Sequence, residues 1–586
     1  MSTIVGRASS GARRAPYGLV SLALLALGLM GGGTSKSPRD AGVPGGGGPQ
    51  PSEKGGAPMT ISKETTFLTG PLTEDGYVDY VAALDARFRQ GVTPANNAAV
   101  PFWWAMGPKA IWAEDREGYF QKLGVPAPPE QGDYFVDFDD FVAIQKGGSK
   151  HDGKASKRGT EGIAWTSRQL ETALQRPWSA REFPLLAEWL AANENPLALV
   201  VEASRRPRRY DPLIGGKKAI VIAVLLPANG QYTFKVGWAM KARAMLRLGE
   251  GKVNEAWEDL VACHRLARLL GQGPTSVDMT GSSGLEERAC AGDQALLQYA
   301  HLTAAQIARF REDLNRLPPM PDLADTFNIA ERFVFLNVVS LGSQDGAKHS
   351  LVGLESTITM QGGVQEWKRL GGAVKLLVRY SDWTAADWDL ILRMGNSWYD
   401  RLAQACREPI RSERRKALKR IDEDLHKLPK AAEDTASLEK AMLVDGRRAF
   451  SERFGQVLLV MFGPQVTVLA DINDHAAMRL NLDKLGFALA AYRADHGSFP
   501  ARLADLMPKY VAEVPEDFFN GSDLHYRREG AGFLLYSVGT NGRDDGARSF
   551  EDRNKNKTWE ALAKDGEDWD DLVVRIPPAT REKERQ

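Results

Sequence analysis

Apolar residues recur at helical spacing along most of this chain. Tyr77, Val78, Val81, Leu84 and Phe88 predict a helix over Tyr77–Phe88. Pro101–Met106 is a short apolar stretch closed by Gly107-Pro108. Glu182–Ala192 is amphipathic and is expected to break at Asn193-Glu-Asn-Pro196. Trp238–Leu248 and Glu255–Leu270 predict a helical hairpin, with Gly249-Glu-Gly251 as the turn and Gly271 as the stop. Thr303-Ala-Ala-Gln306 is a capping box ahead of Ile307, Phe310, Leu314 and Leu317. Phe327–Leu341, Trp383–Ala405, Ser412–Lys430 and Thr435–Phe450 continue the pattern. Ala219–Leu226 is a continuous apolar run that fits a buried strand or a buried helical turn equally well.

The pattern changes toward the C-terminus. Phe454–Ala470 is mostly apolar and contains Pro464, and Asp471–Arg493 follows as an amphipathic helix. Leu524–Arg528 and Phe533–Val538 then read as two strands joined around Glu529-Gly-Ala-Gly532. The fold class expected is a mainly α body of helical hairpins plus a C-terminal α+β module.

At the N-terminus, Arg7, Arg13 and Arg14 precede an apolar run from Tyr17 to Met30, followed by Gly31-Gly-Gly33. These are the parts of an export signal. The run is shorter than the roughly 20 residues of a comfortable membrane span, so residues 1–33 read as a signal peptide or a membrane anchor. Residues 34–64 are rich in Gly, Pro and Ser and read as a flexible linker. The body is expected over 65–453, the module over 454–577 and a disordered tail over 578–586.

Lys plus Arg equals Asp plus Glu, at 75 each. That balance gives no reason to propose nucleic acid as a partner. The basic run Arg411, Arg414, Arg415, Lys416, Lys419 and Arg420 reads as a solvated helix face. Cys263, Cys290 and Cys406 form no C-x-x-C motif. Cys263 and Cys290 could meet in a disulfide or stand as buried thiols. Gly148–Ala155 approaches a phosphate-binding loop, but Ala155 stands where Ser or Thr is needed. Gly281-Ser-Ser-Gly284 is not a hydrolase elbow, and Ser283 is expected as a cap or turn residue before a helix near Leu285. His264 has no second ligand at i+3 or i+4 and reads as structural or surface. No catalytic motif emerges, and the chain is not expected to be an enzyme.

Three resemblances add to this. Leu248-Gly249, Ala256, Leu260, Ala267 and Pro274 loosely resemble a tetratricopeptide unit, without its usual Tyr and without a second copy. Asp75-Gly-Tyr-Val78 with Val92-Thr-Pro-Ala-Asn-Asn-Ala-Ala-Val100 resembles large groups of exported bacterial proteins to which no activity is attached. Leu485–Tyr492, Asp495-His-Gly-Ser-Phe-Pro500, Tyr510, Pro515, Leu534–Gly542 and Asp570–Val574 resemble the soluble head of a type II secretion major pseudopilin. That resemblance implies a long helix with a Pro in its apolar first half, a small antiparallel sheet and a calcium loop. The ligands it implies are Asn541, Asp544, Asp545, Asp570 and Asp571, with Asn541 standing where the pattern has Asp. Asp552-x-Asn554-x-Asn556 also has calcium-loop spacing, with Lys557 in place of the turn glycine. The function expected is an exported, membrane-tethered, non-catalytic binding or scaffold protein of the bacterial envelope, possessing a protein partner and linked to secretion. The rival is a helical peptide-binding module with an aromatic groove at Trp103, Trp104 and Trp257, and behind it an enzyme of unknown class.

Overall fold

The structure is a computed structural model that describes residues 59–145, 168–214, 229–351, 365–463, 466–550, 552 and 568–577. The apolar run Tyr17–Met30, the Gly148–Ala155 loop, Ala219–Leu226, Asn554, Asn556 and the tail after 577 lie outside the described residues. What is described is mainly helical, with one three-stranded antiparallel sheet near the C-terminus.

Ten helices form the first half. They are α1 (Tyr80–Arg89), α2 (Ala99–Met106), α3 (Ala113–Leu123), α4 (Phe138–Gln145), α5 (Pro184–Ala192), α6 (Glu194–Ser204), α7 (Asn229–Gly249), α8 (Val253–Leu270), α9 (Ser276–Tyr299) and α10 (Ala304–Asn315). Seven follow: α11 (Leu323–Thr326), α12 (Arg332–Asp345), α13 (Gln365–Tyr380), α14 (Trp388–Cys406), α15 (Arg411–Glu433), α16 (Thr435–Phe462) and α17 (Val466–His496).

The helical hairpin read from the sequence is α7–α8, and α9 packs against both members. Small residues let these helices approach. A Cβ on Gly237 would meet Leu285 Cδ1 at 2.5 Å, and one on Gly292 would meet Leu260 Cδ2 at 2.3 Å. This overturns the expectation for Gly281-Ser-Ser-Gly284. The helix does not begin at Leu285 but runs through the motif from Ser276, capped by a Thr275–Asp278 box. Ser282 Oγ donates to the Ala267 carbonyl across the α8–α9 contact at 2.7 Å. Two glycines weaken a helix in isolation, but here close packing outweighs that cost.

Other boundaries also move. Asn193 separates α5 from α6, and Pro196 sits in the first turn of α6, where a missing N–H leaves no bond unmade. The helix expected over Trp383–Ala405 starts at Trp388, and Trp383 stands 87% exposed. The chain is already anchored ahead of Thr65. Thr60 N–H donates to Asp389 at 2.7 Å, and Asn396 Nδ2 donates to the carbonyls of Glu64 and Thr65. Helix α16 continues past Phe450 to Phe462, with non-helical backbone at Asp445.

Three apolar cores result. The first joins α1 and α11–α16 to the start of α17 through Val466, Leu469 and Ala470. The second joins α2–α10 and takes Leu480 and Phe487 from α17. The third lies between α17 and the sheet, with Met478, Leu482, Leu485 and Leu489 on the helix side. These positions repeat every three or four residues on one face, while Leu480 and Phe487 point to another. One helix therefore serves all three cores.

The sheet order is β1 (His525–Glu529), β2 (Gly532–Ser537), β3 (Leu572–Ile576). Glu529 pairs with Gly532, so Gly530-Ala531 is the hairpin loop. Gly532 cannot be replaced without moving β3, because a Cβ there would sit 1.6 Å from the Ile576 carbonyl oxygen. Phe533 and Leu535 face α17, whereas Leu534 and Tyr536 face Ala547 on the other side. That alternation is the period of two that a strand buried on both faces requires.

Candidate functional site

The seam between the helical body and the C-terminal sheet concentrates the chemistry of this protein. Helix α17 runs along it, and α15 crosses beside it. Asp422 on α15 accepts from the N–H groups of Val466 and Thr467 at 3.1 and 2.9 Å. It thereby caps the otherwise unpaired start of α17. Of the basic run on α15, Lys416, Lys419 and Arg420 are exposed as a solvated face would be, whereas Arg411, Arg414 and Arg415 turn toward α17. Arg414 Nη2 donates to both oxygens of Asp474, at 2.8 and 2.7 Å, and Arg411 bonds to the same carboxylate. Arg415 pairs with Asp471 at 3.0 Å and donates to the Thr540 carbonyl at 2.6 Å. The Arg411 guanidinium also lies over the Phe518 ring, 3.5 Å from its centre.

A cavity of about 360 Å³ opens at this seam. Its walls are the 317–323 connection, the C-terminus of α14, the head of α15, one face of α17 and Phe518. Four basic side chains line it: Arg268, Arg411, Arg414 and Lys484. Two acids, Asp322 and Asp474, face them. Asp322 is committed to capping α11 through Ala324 N–H at 2.8 Å.

Behind Arg268 the charge continues into the protein. Arg268 donates from Nη1 and Nη2 to the two oxygens of Glu286, at 2.6 and 2.9 Å, and from Nε to the Pro318 carbonyl at 2.8 Å. Glu286 Oε2 lies 3.0 Å from Nδ1 of His264, and His264 Nε2 lies 3.1 Å from Asp293. His264, Glu286 and Asp293 are fully buried. Burial alone would depress the imidazole, but Glu286 and Asp293 outweigh it and raise its pKa to about 10. Burial opposes ionisation of Glu286 too, yet His264 and Arg268 hold its pKa at about 2. Asp483 on α17 accepts from Gln294 at 3.0 Å, and burial with Asp293 nearby lifts its pKa to about 8. Two cations, Arg268 and His264, thus face two carboxylates, with a protonated Asp483 beyond them.

Among the described residues, one set of three possible metal ligands lies within 4.8 Å: His264, Glu286 and Cys290. These residues do not fit a metal ion in this arrangement. Glu286 is spent on Arg268, the imidazole carries its proton, and burial pushes the Cys290 thiol well above its ordinary pKa. All three cysteines are free and buried.

The residues expected to hold calcium lie 25–30 positions apart in sequence and meet around one loop. Asn541 Nδ2 donates to Asp545 at 2.8 Å, and Asn541 N–H donates to Asp570 at 3.0 Å. Asp570 N–H donates to Asp545 at 3.2 Å. Asp570 Oδ1 is buried without a hydrogen-bond donor, the kind of acceptor a cation would use. The other two acids are turned to other work. Asp571 accepts from the N–H groups of Asp545 and Ala547, at 3.3 and 2.8 Å, and burial lifts it to about 6 against those donors. Asp544 accepts from Gly546 N–H at 2.8 Å and from the Tyr536 hydroxyl at 3.1 Å.

The aromatic groove does not form. Trp103 and Trp257 are fully buried, with their indole N–H groups donating to Asp211 at 2.6 Å and Asp313 at 2.9 Å. Trp257 stacks on Phe310, ring centres 4.2 Å apart. Trp104 is 36% exposed, so the three indoles share no open face. Compared with known proteins, the chain matches no family model, no curated sequence and no solved structure.

Proposed function

We propose that this chain is an exported, non-catalytic binding or scaffold protein of a bacterial envelope, tethered through its N-terminal segment and carrying a pseudopilin-like module at its C-terminus. The observation that carries this reading is the order of parts after Ala470: a long helix laid across a sheet built from a tight hairpin and a late third strand. A fold alone does not assign a partner, so the reading is of a binding surface near a secretion apparatus rather than of a fibre subunit. In a pilin the apolar first half of the long helix is free to pack into a fibre. Here Val466, Leu469 and Ala470 are already committed to the first core. The stretch Thr435–His496, which holds α16 and α17, is long and apolar enough to cross a membrane by length and composition, but 56% of its apolar window is buried in the fold, as in core helices.

Calcium belongs to the same reading. Asn541, Asp545 and Asp570 would hold it, while Asp544 and Asp571 accept from N–H groups of the same loop. Bound there, a cation would supply the counter-charge that no ion pair among the described residues gives Asp545 and Asp570.

Cell fractionation tests the export reading. The full chain should sediment with the envelope, and a variant lacking residues 17–30 should remain in the cytoplasm. Envelope localisation of that variant would overturn it.

A further inference from the structure

The charge count at the seam cavity does not close. Arg411 and Arg414 share the single carboxylate of Asp474. Arg268 has its own partner in Glu286. Lys484 has no ion pair or hydrogen bond among the described residues, although it is partly buried in the cavity wall. With Asp322 also in the wall, four cations face three carboxylates, Asp322, Asp474 and Glu286, and Lys484 is the one left without a partner among the described residues. Charges held away from bulk water are ordinarily paired. Burial and the neighbouring Arg268 depress the Lys484 pKa, and burial depresses that of Arg411.

The polar groups are placed as a binding face. Asn473, Ala477, Asn481 and Lys484 follow one another at helical spacing on the side of α17 that lines the cavity. Asn481 also makes no hydrogen bond among the described residues, and Asn473 Oδ1 is buried without a donor. Ala477 keeps the centre of this face open. The opposite wall is apolar, made by Pro319, Met320 and Pro321. A few polar groups gathered beside an apolar wall in a cleft of this size are the usual form of a small-molecule site.

We propose that this cavity binds a small organic oxyanion. Its charged head, a phosphate or a carboxylate, would sit between Lys484, Asn481 and Arg411. Its apolar remainder would lie on the Pro319–Pro321 wall. Asp474 tunes the site by partly neutralising the two arginines, and Arg268 is fixed in the wall by Glu286 behind it. The inference is independent of where the protein resides in the cell and of calcium at the distant loop.

Calorimetric titration of the full chain tests it, with phenyl phosphate, benzoate and neutral benzyl alcohol as probes. One anion should bind at one site per chain, more weakly as salt rises, and benzyl alcohol should not compete. Preference for phenyl phosphate over benzoate would identify a phosphate head, and the reverse a carboxylate. Lys484→Met keeps the apolar stem and should weaken binding about tenfold, the loss of one charge-assisted contact. Asp474→Asn frees both arginines and should tighten binding about threefold or more, by removing a competing carboxylate. A purely structural Asp474 would give no gain. Failure of both anions to bind, binding of benzyl alcohol as tight as theirs, or wild-type affinity in both variants would each overturn the proposal. Melting midpoints of the two variants establish that they fold, and either folded variant suffices for the comparison.

Discussion

His264 on α8 and Glu286 on α9 meet in the interior with Nδ1 and Oε2 3.0 Å apart, and Glu286 simultaneously holds both terminal nitrogens of Arg268. One carboxylate thus stands between two buried cations, and Asp293 faces the imidazole from its other side. Glu286→Gln keeps the shape and removes the charge, which leaves Arg268 and His264 without their shared counter-ion. The expected loss is about 3–5 kcal/mol, the range for breaking one side of a buried ion pair. Urea unfolding of the full chain measures it, and a loss below about 1 kcal/mol would show that Arg268 and His264 do not depend on Glu286 for their counter-charge.

The same cluster sets a pH dependence. His264 is raised from its ordinary value near 6.5 to about 10, so its contribution is complete below about 6.5 and lost as pH rises through 10. Asp483, raised to about 8, has the same sign: its contribution is complete below about 4 and lost as pH rises through 8. Glu286 has the opposite sign, complete above about 4.5 and lost as pH falls toward 2. The melting temperature should therefore peak near pH 4 to about 4.5, fall as Asp483 ionises in the unfolded chain, and fall further toward pH 10 as His264 loses its proton. In His264→Gln the alkaline decline should be shallower. An unchanged slope would place the titration elsewhere.

Much of the helical frame was legible in the sequence, and the seam was not. The α7–α8 hairpin, the Thr303 cap and the β1–β2 hairpin follow from local signals: apolar period, turn glycines and a capping box. His264 gave no such signal. Its partners Glu286 and Asp293 sit on the next helix, at no spacing that marks a ligand pair. The arginines at 411, 414 and 415 were misread because a polar helix face looks the same whether it meets water or the acids of another helix. Buried glutamates and histidines are rare enough that an amphipathic pattern argues against them, and here packing of small residues between α8 and α9 brought them together. The Gly281–Gly284 stretch failed for a related reason. Helix propensity is local, while the contact that tolerates those glycines is not.

Arg415 ties α15 to both α17 and the Thr540 loop. The pair is partly exposed, so Arg415→Met should cost only about 1 kcal/mol. Its local effect should be larger than its global one. Amide exchange at Thr540 and Asn541 should quicken severalfold while the α8–α9 core stays protected. Equal exchange in variant and wild type would show that the loop is held by Asp570 alone.

Calcium at Asn541, Asp545 and Asp570 predicts a melting midpoint a few degrees higher in millimolar calcium than in chelator. Asp570→Asn should abolish the difference. Identical midpoints for the wild type in both conditions would discard the ion and leave the loop closed by its N–H···carboxylate bonds.

Trp257 is a stability residue in this structure. Trp257→Ala would empty the space between Phe310 and Phe487 and remove one donor from Asp313, with an expected cost of about 3–5 kcal/mol. Far-ultraviolet circular dichroism during thermal melting reads this directly, and a near-neutral result would show that the surrounding core closes over the space the indole leaves.

Helix α17 completes three cores, two of which are otherwise built from segments that precede it in the chain. Chains usually fold from the N-terminus as they leave the ribosome. This one holds the last buried pieces of both body cores until α17 (Val466–His496) has been made. The nascent protein consequently lacks a finished interior over its first several hundred residues. A polypeptide that stays open over that length is one that a translocation channel, which threads unfolded chains, can still accept.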